Sequence, residues 1–135
     1  MNKTIRVIAV AMLALILVLS LASCGGPNPD PEKALASLKE NGIVWAAKDD
    51  YVIPTALKIA NVDGVKTAVS GTGKIDGEWA HVTIVYFNDA AAADAAYESV
   101  EDYAAKDKKE DTDWVFAKSG AMIYWGTSAA INAAK

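Results

Sequence analysis

The chain has 135 residues, with 17 acidic and 13 basic side chains, one histidine and one cysteine. That length holds one small domain and not two, and a net charge of −4 argues against nucleic acid, which needs a basic face. One cysteine leaves no internal disulfide, so an apolar core must hold the fold.

The chain opens on Lys3 and Arg6, continues through an apolar run from Val7 to Leu19, and reaches Leu21-Ala22-Ser23-Cys24. A charged start, a hydrophobic centre and small residues before a cut are the layout of a secretory signal. The run is short for a spanning helix, which needs about 20 predominantly apolar residues. Leu21 to Cys24 resembles the lipobox of bacterial lipoproteins, and the resemblance covers residues 1–24 only. It implies removal of residues 1–23 and a diacylglyceryl group on the Cys24 thiol. It also implies an address: the extracytoplasmic side of the cell membrane, or an outer membrane where the cell has one.

All seventeen acidic residues and eleven of the thirteen basic ones lie beyond that cut, so the mature part carries 11 − 17 = −6. It contains no arginine, because Arg6 leaves with the signal. The usual bidentate reader of phosphate and carboxylate is therefore missing. Membrane contact is expected through lipid on Cys24, where two acyl chains anchor stably.

Residues 24–30 hold Gly25-Gly26-Pro27-Asn28-Pro29 and are expected to form a flexible tether, with the domain proper spanning 31–135. Asp30 as N-cap, Pro31 at the first helical position and Glu32 in the first turn predict a helix that Asn41-Gly42 ends. Ile43 to Lys48 reads as a strand, Asp49-Asp50 as a turn, and Tyr51-Val52-Ile53 as a return strand stopped by Pro54. Thr55 to Asn61 fits either a strand or a short helix. Val65 to Ser70 is expected as a strand, Gly71 to Gly77 as a loop, and Glu78 to Phe87 as a central strand. Asn88 or Asp89 caps a helix to about Lys106, with Ala93, Ala96, Tyr97, Val100 and Tyr103 or Ala104 facing inward. After a charged turn, Trp114 to Lys118 and Ala121 to Trp125 form a hairpin about Ser119-Gly120. Gly126-Thr127-Ser128 opens a last helix.

The expected fold is α+β: one small domain with an antiparallel sheet of four to six strands and its helices packed on one face. A tryptophan-bearing strand, a turn and a second isoleucine-bearing run occur near both ends. That echo suggests a worn helix–hairpin–helix duplication.

For chemistry the chain offers few starting points. Gly71-Thr72-Gly73-Lys74 fails as a phosphate loop, since Ala68 stands where the first glycine belongs and Ile75 follows the lysine. His81 has no motif supplying a nucleophile or an orienting carboxylate, and a lone histidine makes a poor zinc site. Asp107, Glu110, Asp111 and Asp113 lack the order of a calcium loop. No cofactor or metal is expected, and no enzyme. The rival reading is a small cell-envelope hydrolase built on His81; a purely structural envelope lipoprotein is a third.

Strand 78–87 alternates Ala80, Val82, Ile84 and Tyr86 with Trp79, His81, Thr83, Val85 and Phe87, both sets mostly apolar, which suggests a central strand covered or partly covered on both faces. The helices can cover one face. If nothing covers the other, Trp79, His81 and Thr83 form a candidate binding surface, joined by Trp114 and Phe116 if the neighbouring hairpin pairs on that face. Otherwise the tryptophans supply core bulk that alanine does not. The expected partner is a protein, an apolar ligand or a second copy of the chain.

Overall fold

The computed structural model describes residues 26–108 and 113–135; Cys24 and the signal segment lie outside them. Asp30 starts helix α1 (Pro31–Glu40), its carboxylate accepting from the N–H groups of Glu32 and Lys33 at 2.9 and 3.4 Å. Gly42, at φ 97°, turns the chain so that the Ile43 N–H returns to the Leu38 carbonyl at 2.9 Å. Strand β1 (Trp45–Asp49) follows.

Tyr51 to Ile53 do not return as a strand. Asp49 accepts from the N–H groups of Tyr51, Val52 and Ile53 at 2.8, 2.7 and 3.0 Å, which leads into helix α2 (Val52–Ile59). Pro54 falls in the first turn of that helix, where a missing N–H costs nothing. The first hairpin is therefore absent, and the duplication is absent with it.

Strand β2 (Val65–Ile75) runs straight through the stretch expected as a loop. Only Asp76 and Gly77 turn, at φ 52° and 82°, as a two-residue hairpin with both central residues left-handed requires. The glycines of β2 answer to packing instead. A Cβ on Gly71 would meet Ile43 Cγ2 at 2.6 Å, and one on Gly73 would meet the Gly42 carbonyl oxygen at 2.8 Å. They let the chain leaving α1 cross β2 closely.

The rest follows expectation. Strand β3 (Glu78–Phe87) leads to helix α3 (Ala90–Ala104), capped by Asp89 through the Ala92 N–H at 2.8 Å. A 3-10 turn (Ala105–Asp107) ends it. Strands β4 (Trp114–Ser119) and β5 (Met122–Thr127) form the second hairpin, and helix α4 (Ser128–Ala133) closes the domain.

Among the described residues the sheet has five strands in the order β1-β2-β3-β5-β4, every neighbour antiparallel, with β3 in the middle. This is a single small α+β domain. Its helices divide between the two faces instead of sharing one. Ala80, Val82, Ile84 and Tyr86 pack with Ala34 and Leu38 of α1 and Ala130 and Ile131 of α4. Val85 and Phe87, with Ile123 and Trp125, pack on the other face with Leu57 of α2 and Ala93, Ala96, Val100 and Ala104 of α3. A strand apolar on both sides calls for both covers, and the alanine stripe lets α3 approach closely.

Residues 26–28, expected to hang free, are packed. Pro27 is buried, the Asn28 N–H donates to the Ala134 carbonyl at 2.8 Å, and the Tyr86 hydroxyl donates to the Asn28 carbonyl at 2.8 Å. Prolines have few conformations to lose on docking. Among the described residues no helix is long and apolar enough to cross a membrane.

Candidate functional site

Residues directly opposed across antiparallel strands share a face. Register therefore places Trp45, Thr72 and His81 in one row, and Ser70, Thr83, Trp125 and Phe116 in the next. Helices α2 and α3 cover the half of this face that holds Val85 and Phe87. Beyond the 3-10 turn the sheet emerges. There an open groove of about 600 Å³ is lined by Trp45, Trp79, Ser70, Thr72, His81, Thr83, Lys106 and Asp107.

Two indoles form one side of it. Trp45 and Trp79 stack at 6.1 Å between centroids and 16° between planes, although both are largely exposed, at 69% and 59%. The Lys74 ammonium stands 5.1 Å from the Trp79 ring centroid, a cation–π contact on the solvent side. Ser70, Thr72 and Thr83 add hydroxyls that both donate and accept.

Trp125, outside the groove lining, is bonded to the groove residue Asp107. Its side chain is fully buried, and its Nε1–H donates to Asp107 Oδ2 at 3.1 Å. Phe116 stacks on it at 6.1 Å and Tyr103 meets it edge-on at 6.1 Å. Burial, followed by the nearby Asp107 and Asp49 carboxylates, pushes the Tyr103 hydroxyl above its ordinary pKa.

His81 is held by its backbone as well as its ring. Its N–H donates to Thr127 Oγ1 at 3.3 Å, its carbonyl accepts from the same hydroxyl at 3.4 Å, and its ring lies 6.1 Å from Trp114. Ser70 and Asp107 share the groove with His81. Asp107 Oδ2, however, takes the indole N–H of Trp125, and Ser70 stands opposite Thr83, not His81.

Of the expected surface, Trp79, His81 and Thr83 lie in the groove. Trp114 is half-buried beside His81. Phe116 does not belong to the groove, because it packs between Trp125 and Tyr97, the latter at 5.2 Å. Sequence reading missed Trp45, Ser70, Thr72, Lys106 and Asp107. The signal for Trp45 was its alternation with buried Ala46, which only the pairing of β1 with β2 turns toward Trp79. Among the described residues no group of His, Cys, Asp and Glu side chains converges as a metal site. Glu110 and Asp111 lie outside the described residues.

A second concavity, of about 450 Å³, lies at the other end of the sheet, lined in part by Pro27, Asn28, Lys66, Tyr86, Gly120 and Lys135. Burial, followed by the Asp30 carboxylate, pushes the Tyr86 hydroxyl well above its ordinary pKa.

Compared with protein-family models, curated proteins and solved structures, the chain matches none.

Proposed function

We propose that the protein is a lipid-anchored, extracytoplasmic binding module that holds a partner protein without catalysis. Anchoring rests on the lipobox resemblance at Leu21 to Cys24. The binding surface rests on one observation. Among the described residues the large exposed hydrophobics are Val44, Trp45, Tyr51, Val52, Ile59 and Trp79. Val44 and Trp45 lie at the start of β1, Tyr51, Val52 and Ile59 belong to α2 and its entry, and Trp79 on β3 stacks on Trp45. Exposed apolar side chains of this size, centred on a stacked indole pair, mark an interaction surface, and rigid indoles supply contact energy at small entropic cost. The edge strand β1 adds unpaired backbone groups along the same side.

Site-specific photocrosslinking in the producing cell tests the reading. A photoreactive residue at Val52 or Trp79 should capture a discrete partner, while one at exposed Glu98, on α3, should not. Equal capture at the three sites would contradict it. Sedimentation of the purified domain decides whether the partner is a second copy. Mass spectrometry of the mature N-terminus tests anchoring, and an unmodified Cys24 or an intact Met1 would end that part.

A further inference from the structure

The segment after Cys24 is short and, from Gly26 onward, packed. A Cβ added to Gly26 would meet the Tyr124 hydroxyl at 3.2 Å and Ser119 Cβ at 3.3 Å, and Asn28 is tied to Ala134 and Tyr86. Only Gly25 separates Cys24 from this docked stretch. Two residues of fully extended chain span at most about 7 Å. A lipid on Cys24 therefore cannot let the domain drift from the bilayer.

We infer that the sheet end carrying Lys66, the Ser119–Met122 turn and Lys135 rests against the lipid headgroups, and that the aromatic groove faces away from the membrane. The inference rests on the anchoring proposed above. Charge agrees with it: among the described residues, Lys66 and Lys135 are the charged ones lining the concavity at that end, in a domain of net negative charge. Geometry sets the direction. Tyr86 lines the docked end and Trp79 the groove, seven residues apart on one strand, which is about 24 Å at 3.4 Å per residue. Trp45 and Trp114 share the far end through their rows with His81. The partner of the docked end is a lipid surface; the groove and the β1 edge stay open to whatever lies beyond it. A long flexible tether would leave the orientation free. This one is docked.

The test uses the mature protein, produced from its own signal and reconstituted in vesicles of phosphatidylcholine and phosphatidylglycerol carrying headgroup spin labels. Native tryptophans all lie on the groove side of Tyr86, so Lys66→Trp, and separately Ala121→Trp, report on the docked end. Lipid-dependent loss of fluorescence should appear in the two variants and not in the unaltered protein. Inserting ~12 Gly/Ser residues after Gly25, with a reach on the order of 20 Å, should abolish that difference. Quenching of the native tryptophans equal to that of both reporters, or no quenching of either reporter, overturns the orientation. Mass spectrometry on the same samples separates the causes: acylated protein with the wrong quenching pattern defeats the orientation alone, and unacylated protein defeats the anchoring and the orientation together.

Discussion

Trp45 and Trp79 stand on strands separated by β2, yet their rings stack at 6.1 Å above it. On β2, Thr72 stands directly opposite Trp45 and Lys74 directly opposite Trp79. The two rings stack while both stay largely exposed. A double-mutant cycle with Trp45→Ala and Trp79→Ala should give a coupling near the lower end of the usual aromatic range of about 0.5–1.5 kcal/mol. Urea denaturation measures it, and a coupling of zero would show that the rings do not hold each other.

Trp125 should behave oppositely. It is fully buried, touches Phe116 and Tyr103, and is bonded to Asp107. Trp125→Ala should cost about 3–5 kcal/mol of stability. Trp125→Phe keeps most of the packing and leaves Asp107 without its indole donor, so it should cost distinctly less. If Trp79→Ala proved as damaging as Trp125→Ala, the division into buried and exposed aromatics would be wrong.

Most of the frame was legible from local chemistry. Asp30-Pro31 and Asp89 marked helix starts, and alternation over Glu78 to Phe87 marked the central strand. Two segments misled, each because one residue type has two uses. Pro54 stops a strand and also suits the first turn of a helix; the three N–H groups gathered by Asp49 chose the helix. Gly71 and Gly73 suit a loop and also a close crossing; Ile43, nearly thirty positions upstream, chose the crossing. Such long-range contacts leave no mark in a local window. Trp79, His81 and Thr83 were found through the strand's own alternation. Trp45 was not, because its neighbour on the face depends on pairing with β2.

Acid should weaken the domain partly through Asp49. Burial raises its pKa, but the N–H groups of Tyr51, Ile53 and Val52 outweigh it and hold the carboxyl below its ordinary 3.8. A carboxyl lowered by folding stabilises fully above its unfolded value, and that contribution is lost as pH falls through the folded one. Asp49→Ala should cost about 1 kcal/mol at neutral pH, as loss of a helix cap does. It should also flatten the decline in stability below pH 3.8, measured by urea titration across acid pH. An unchanged acid limb would remove Asp49 from the account.

Two glycines should differ sharply. Gly126 on β5 has φ 142°, and a Cβ there would collide with the His81 carbonyl oxygen and reach Val82 Cα at 2.8 Å. Gly77, in the β2–β3 turn at φ 82°, would meet nothing within 4 Å. Gly77→Ala should cost about 1–2 kcal/mol, the left-handed penalty alone. Gly126→Ala should cost more, since β3 and β5 must separate where they hold His81. Thermal melts of the two variants give the order; equal costs would contradict the close approach.

The central claim is that an exposed indole pair forms the working edge of this domain. Acrylamide quenching of the protein lacking residues 1–24 tests it most directly. The account predicts that Trp45 and Trp79 are readily quenched, that Trp125 is protected, and that Trp45→Phe with Trp79→Phe removes most of the accessible signal. A monomer in which all four tryptophans resist quenching would contradict it.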